Sequence, residues 1–262
     1  MSIKSKAALA IAAAATATLA AGLGIAGTAS AATPSCGPAC INIFSKNFGS
    51  YSNPQFVMDV YRQGSHVGQP IILFRESNSD PAEDFSISYD GQVSDAFQAG
   101  LVSSSFNLHY GCNWSLFQAK CTNTFPDLYI FEVQYTPFGV DSGLCVGAPS
   151  GAANTKVTLQ PCGVNAGTLW AADTLDSCPA NPLYSLEVQA INGLNTNYSH
   201  PTVLTYPAAG FPTDKPRPQL FLKNLTGFTQ TGGTGRAALC GGLAVTGPDN
   251  NQLWGAVAGV LP

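Results

Sequence analysis

Apolar and polar residues alternate along this chain in short runs, without sustained helical periodicity. Phe56-Val57-Met58, Ile71 to Phe74, Tyr129 to Tyr135, Val157 to Leu159, Leu183 to Val188 and Gln219 to Leu222 each read as a strand. Gly, Pro, Asn and Ser punctuate these runs. Eighteen prolines and 27 glycines would break helices repeatedly. The pattern predicts an all-β class of many short strands with almost no helix.

The exception is the N-terminus. Met1 to Lys6 carries two lysines, Ala7 to about Thr28 is apolar and Ala-rich, and Ala29-Ser30-Ala31 offers the small residues a signal peptidase needs. A membrane anchor is the competing reading, because the run is near the lower limit for a span. The Gly and Thr residues within it and the A-x-A site favour cleavage after Ala31. Residues 32–262 are then the mature, exported chain, with no membrane association once the signal is gone. Removing Lys4 and Lys6 leaves nine basic against 15 acidic residues, a balance of −6. That balance disfavours nucleic acid and anionic membrane surfaces, which need basic patches. An apolar content of 45% excludes a disordered composition.

All eight cysteines (36, 40, 112, 121, 145, 162, 178 and 240) lie in the mature part. An even number in an exported chain reads as a disulfide framework, for which about 105 pairings exist. Spacing favours Cys112–Cys121 and Cys145–Cys162, with Cys36–Cys40 and Cys178–Cys240 as the remainder. Zinc at Cys36 and Cys40 is the disfavoured alternative, since neither histidine nor a second cysteine pair sits nearby. No metal and no cofactor are expected.

An internal repeat organises the chain. Leu128-Tyr129-Ile130-Phe131-Glu132-Val133-Gln134 matches Leu183-Tyr184-Ser185-Leu186-Glu187-Val188-Gln189, and each copy is followed by an aromatic, Trp170 or Trp254. A weaker copy ends at Phe85, with Phe44 standing where Tyr129 does. Such periodic self-similarity predicts a repeat architecture.

The stretch Gly-Leu-Cys145-Val, then Val-Thr-Leu-Gln-Pro-Cys162-Gly, then Thr-Leu-Trp170 resembles a ricin-type lectin unit. The resemblance implies a β-trefoil of three pseudo-repeats, roughly residues 41–97, 98–180 and 181–262, with Q-x-W aromatics in the core. It covers about half of the mature chain and is sharpest in the middle unit. Long insertions, 86–127 and 192–217, depart from the family's compact units, and a β-sandwich remains the alternative fold.

The resemblance also implies sugar binding by a carboxylate, a stacking ring and an Asn-Gln pair in each unit. Residue by residue, Asp59 and Phe74 match in the first unit, where Ala82-Glu83 replaces the amides. Phe221, Asn251 and Gln252 match in the third, which has no Asp near Val203-Leu204-Thr205; Asp214 is the nearest substitute. The middle unit has Gly147, Gln160 and Gly167-Thr168 at these places, and so lacks the whole set. The bland reading is that these aromatics pack, Asp59 pairs with Arg62 or a turn amide, and the amides tie down a loop.

Catalytic signals are weak. Glu132 and Glu187 form a repeated carboxylate pair, but pseudosymmetry sets them apart. Asp141-Ser142-Gly143 has no histidine in a matching context, since His66, His109 and His200 stand in unrelated surroundings. Gly233 to Ala238 fits G-x-G-x-x-A without the flanking strand and helix. The expectation is a secreted, non-catalytic carbohydrate-binding module with a glycan or polysaccharide partner. The alternative is a secreted interaction, structural or protease-inhibitor-like protein that uses the insertions to contact another protein.

Overall fold

The computed structural model describes residues 40–45, 49–50, 53–54, 56–77, 80–111, 128–163, 165–174, 188–207, 218–225, 251–252 and 254–258. The proposed signal segment, Asp214, Glu187 and cysteines 36, 112, 121, 178 and 240 lie outside them.

Among the described residues fourteen strands are formed: β1 (Ile41–Ser45), β2 (Gly49–Ser50), β3 (Asn53–Pro54), β4 (Phe56–Val60), β5 (Ile71–Arg75), β6 (Phe85–Gln92), β7 (Tyr129–Tyr135), β8 (Leu144–Gly147), β9 (Thr158–Pro161), β10 (Leu169–Thr174), β11 (Val188–Asn192), β12 (Thr202–Thr205), β13 (Phe221–Asn224) and β14 (Trp254–Ala258). Antiparallel pairing runs β1–β6–β7–β10–β11–β14 and back to β1, so six strands close a barrel. Closure leaves no free edge around that ring.

Three hairpins, β4–β5, β8–β9 and β12–β13, extend from the barrel, each attached to the first strand of its own unit. They join one another through Pro70↔Thr158, Ile72↔Gln219 and Lys156↔Phe221. These bridges make a triangle in which each hairpin contributes the same two positions. A six-stranded barrel capped by three hairpins in threefold relation is a β-trefoil.

The core follows from that symmetry. Phe85, Trp170 and Trp254 are fully buried and pair with Ile41, Phe131 and Val188, the matching positions of the three first strands. Trp170 Nε1 donates to Val146 O and Trp254 Nε1 to Leu204 O, both at 2.9 Å, so each indole ties its barrel strand to its hairpin. Phe85 has no such donor. Around these rings pack Met58, Val60, Leu73, Leu159, Leu222 and Tyr206.

The pairing puts the sequence repeat two residues out of step. Because Phe131 opposes Trp170 and Val188 opposes Trp254, the counterpart of Glu132 is Gln189 rather than Glu187. The weaker first copy is further out of step: Phe44 corresponds to Gln134, five residues beyond Tyr129, since each is the residue that pairs with its hairpin. The shift of two between Glu187 and Gln189 keeps every side chain on its own face of the strand, which is why the stronger match tolerates it.

As expected, helix is scarce: among the described residues α-helix is confined to two short segments. After β6, which itself runs through the start of the predicted 86–127 insertion, come α1 (Val93–Gln98) and α2 (Ser104–Tyr110). Ser103 caps α2, its hydroxyl accepting from Phe106 N at 3.1 Å. Val93, Ala96, Val102 and Phe106 bury themselves against Ile130, Ala171 and Ile191 on the barrel's outer face, making a second core. Helices of six and seven residues are too short to show periodicity in sequence. The predicted 192–217 insertion also contains a regular element, β12.

Cys145 and Cys162 form the predicted disulfide. Cys40 is also disulfide-bonded.

Candidate functional site

The threefold relation fixes which residues correspond at the three candidate pockets. Asp59, Gly147 and Thr205 occupy one position, directly after the core-facing Met58, Val146 and Leu204. Phe74, Gln160 and Lys223 occupy the second, on the return strand. Glu83, Thr168 and Gln252 occupy the third, two residues before the core aromatic.

In the first unit the alternation of β4 and β5 sends Met58, Val60, Ile71 and Leu73 into the main core. Asp59 pairs with Ile72 and Val57 with Phe74, so Asp59 and Phe74 are diagonal neighbours on the opposite face. The Phe74 ring is half-buried, whereas Asp59 is only 3% exposed. Asp80 starts the turn Pro81–Glu83, accepting from Ala82 N at 2.9 Å and from Gln63 Nε2 at 3.0 Å. The turn carries Glu83 back to Asp59: one carboxylate oxygen from each of Asp59, Asp80 and Glu83 lies within 4.8 Å of the others.

Glu83 is 1% exposed, and Ser77 N donates to both of its oxygens at 3.1 and 3.2 Å. Burial pushes its pKa up to about 9; the Ser77 N–H opposes this, and the charges of Asp59, Glu76 and Asp80 add to it. At neutral pH and without another positive charge, Glu83 is therefore a carboxylic acid with one O–H to donate. Burial also raises Glu76. The Tyr135 hydroxyl is fully buried with no hydrogen-bond partner. Burial raises its pKa, and Asp59, Asp80 and Asp84 raise it further.

In the middle unit the same place is closed. A Cβ on Gly147 would stand 2.9 Å from Thr168 Cγ2 and 3.0 Å from Gly167 O, so a carboxylate cannot enter without moving the turn before β10. Thr168 instead donates to Glu132, which also accepts from Gly163 N at 2.8 Å and Ser88 Oγ at 2.9 Å. Glu132 thus accepts three hydrogen bonds from its surroundings. Ser142 likewise donates to Tyr135 O at 2.6 Å, and Asp141 accepts from Gly143 N at 2.7 Å, which makes that triplet a turn.

In the third unit Gln252 is 1% exposed and donates to Thr205 Oγ1 at 3.3 Å and Asn224 O at 3.1 Å. Asn251 is buried and donates to Tyr206 O at 2.6 Å. Both amides tie the hairpin to the barrel. Phe221 corresponds to Ile72 and Thr158 in the hairpin triangle, not to Phe74, and its ring lies 5.4 Å from Lys156 Nζ. The five candidates therefore fall into two groups: Asp59 and Phe74 share a face in the first unit, and in the third Phe221 pairs directly with Thr205, the residue that Gln252 hydrogen-bonds. Sequence reading missed Asp80 and Tyr135. The sole sequence signal was the Glu at position 83, where the resemblance calls for an amide.

No family model matches this chain, and no curated protein matches it. Among solved structures it is similar to the designed threefold-symmetric protein ThreeFoil, at 10% identity and TM-score 0.44, covering 84% of this chain and 98% of that one. It is also similar to the Haemophilus ducreyi cytolethal distending toxin, at 10% identity and TM-score 0.43, covering 86% of each. The ligand binding domain of botulinum neurotoxin serotype D, solved with N-acetylneuraminic acid, matches at 9% identity and TM-score 0.39, over 84% of this chain and 41% of that one. Likeness of this degree carries no argument about function. The trefoil assignment rests on the closed pairing of the chain's own strands.

Proposed function

We propose that this chain is an exported, non-catalytic carbohydrate-binding module whose working pocket lies in the first unit. The observation that supports this reading is the grouping of Asp59, Glu83 and the half-buried Phe74 ring around one hairpin. A carboxylate beside a protonated carboxyl offers both acceptor and donor to a pair of sugar hydroxyls, and a ring edge offers an apolar seat for the sugar face. The other two units have filled or tied the same position. The test is a glycan array and polysaccharide pull-down with the oxidised full chain and with Asp59→Asn. Binding that Asp59→Asn abolishes supports the pocket; binding that survives it removes the pocket, and no binding by wild type removes the function.

A second reading, a protein-interaction module on the trefoil scaffold, is favoured by apolar side chains left in solvent. Phe97 and Leu108 on α1 and α2 are 38% and 45% exposed, and Phe138 is 69% exposed. It predicts a protein contact that Leu108→Ser weakens while sugar binding is unaffected.

A further inference from the structure

We propose that the Phe138 ring extends the first-unit pocket across the boundary between units, so that the ligand is a chain of linked sugars rather than a single one. This rests on the carbohydrate-binding reading above and names its ligand class.

Phe138 lies at the tip of the turn Pro137–Gly139, between β7 and β8, and its side chain is 69% exposed. Its backbone is left-handed, with φ 55° and ψ 26°, a region that bulky residues avoid. Glycine or asparagine would form the same turn at less cost, and Gly139 beside it does so at φ 76°. Neither burial nor the turn therefore accounts for a phenylalanine there. The ring's backbone is held in place. Phe138 N donates to Asp84 Oδ2 at 3.0 Å, and Thr136 N donates to Asp84 O at 2.9 Å. Gly139 N closes the turn on Thr136 O at 2.8 Å. These bonds fix an exposed aromatic residue beside the segment that carries Glu83.

The distribution of left-handed backbone points to the same segment. Among the described residues Arg62, Gln63, Phe138 and Asn154 are the non-glycine residues at positive φ. Asparagine tolerates that region. The other three lie in two turns, Tyr61–Gln63 and Pro137–Gly139, and the turn Pro81–Glu83 packs against both. Gln63 Nε2 donates to Asp80 just before that turn, and Phe138 N to Asp84 just after it. Costly backbone concentrated on both flanks of one turn is a pattern found at ligand clamps.

The exposed ring selects the ligand. It has no hydrogen-bonding group of its own and stands next to a turn rich in them, which suits the apolar face of a second sugar linked to the one in the pocket. A single sugar seated at Asp59 and Phe74 would have no use for it.

Titration of the oxidised full chain with free mono- and trisaccharides of glucose, galactose, mannose and N-acetylglucosamine tests this. In the series that binds, the trisaccharide should bind about tenfold tighter than the monosaccharide. Phe138→Gly suits the left-handed turn, so its Tm should equal or exceed that of wild type, and it should lose the trisaccharide advantage while keeping monosaccharide affinity. Phe138→Trp should keep the advantage, and Asp59→Asn should weaken both probes. An advantage that survives in Phe138→Gly overturns the proposal and leaves the pocket standing; a ring serving only a protein contact gives that result. Equal binding of the two probes by wild type, or equal weakening of both in Phe138→Gly, also overturns it. No binding of any probe by wild type removes the pocket and this proposal with it. If Phe138→Gly does not fold, Phe138→Asn, which also tolerates the turn, is read in the same way.

Discussion

The first and second units share a four-strand frame and use it in opposite ways. In the second, a disulfide joins Cys145 to Cys162, Trp170 anchors the hairpin through Val146 O, and Gly147 is packed so tightly that no side chain fits. In the first, the core aromatic is Phe85, which donates to nothing, and the position of Gly147 is held by a buried carboxylate. In the second unit that position is closed by packing beside a disulfide. In the first it holds a buried carboxyl group with two more close by. On the function proposed above, the difference separates scaffold from site within one pseudo-symmetric molecule.

Breaking the second unit should cost the most. Trp170→Ala removes a fully buried indole and its hydrogen bond, with an expected loss of about 3–5 kcal/mol in denaturant unfolding. Replacing Cys145 and Cys162 together by serine opens a loop with sequence separation 17, and should cost about 3 kcal/mol in the same measurement. Gly147→Asp puts the first unit's carboxylate into the second. It should cost about 1–3 kcal/mol by overpacking and confer no new binding, read by unfolding and by pull-down.

The first unit should respond to pH. The pKa of Glu83 is raised in the folded chain, so between about 4.5 and about 9 the folded state holds a proton that the unfolded state has released. The contribution of Glu83 to stability is therefore intact at pH 4.5 and falls as pH rises toward 9. Asp59, Asp80 and Glu76 are the charges that face it. Tm should decline across that window in wild type and decline less in Glu83→Gln. An identical slope in the two would remove Glu83 from the account.

Much of the frame was legible in the sequence because it depends on local patterns. The Cys145 and Cys162 spacing, the alternation around Val57 and Leu159, and the three terminal aromatics each reflect a short-range rule. What was not legible depends on register and on chain reversal. The Leu-Tyr-x-x-Glu-Val-Gln match pairs Glu132 with Glu187 because a slip of two residues preserves the faces, whereas barrel pairing selects Gln189. Phe221 looked like a stacking ring because its strand was counted without the hairpin bridges that set its position. The helices at Val93 and Ser104 are too short for periodicity. The approach of Asp80 and Glu83 to Asp59 needs the turn at Pro81, and the burial that raises Glu83 belongs to the folded chain alone.

The most direct measurement compares the three equivalent positions on the return strands. Phe74→Ala, Gln160→Ala and Lys223→Ala each remove a half-buried side chain from the same place in the three units. Retention on immobilised polysaccharide would be measured at matched folded fraction. Loss of retention in Phe74→Ala with retention kept in Gln160→Ala and Lys223→Ala is the predicted result. Equal retention in all three, or loss confined to Gln160→Ala or Lys223→Ala, would contradict the assignment of the site to the first unit.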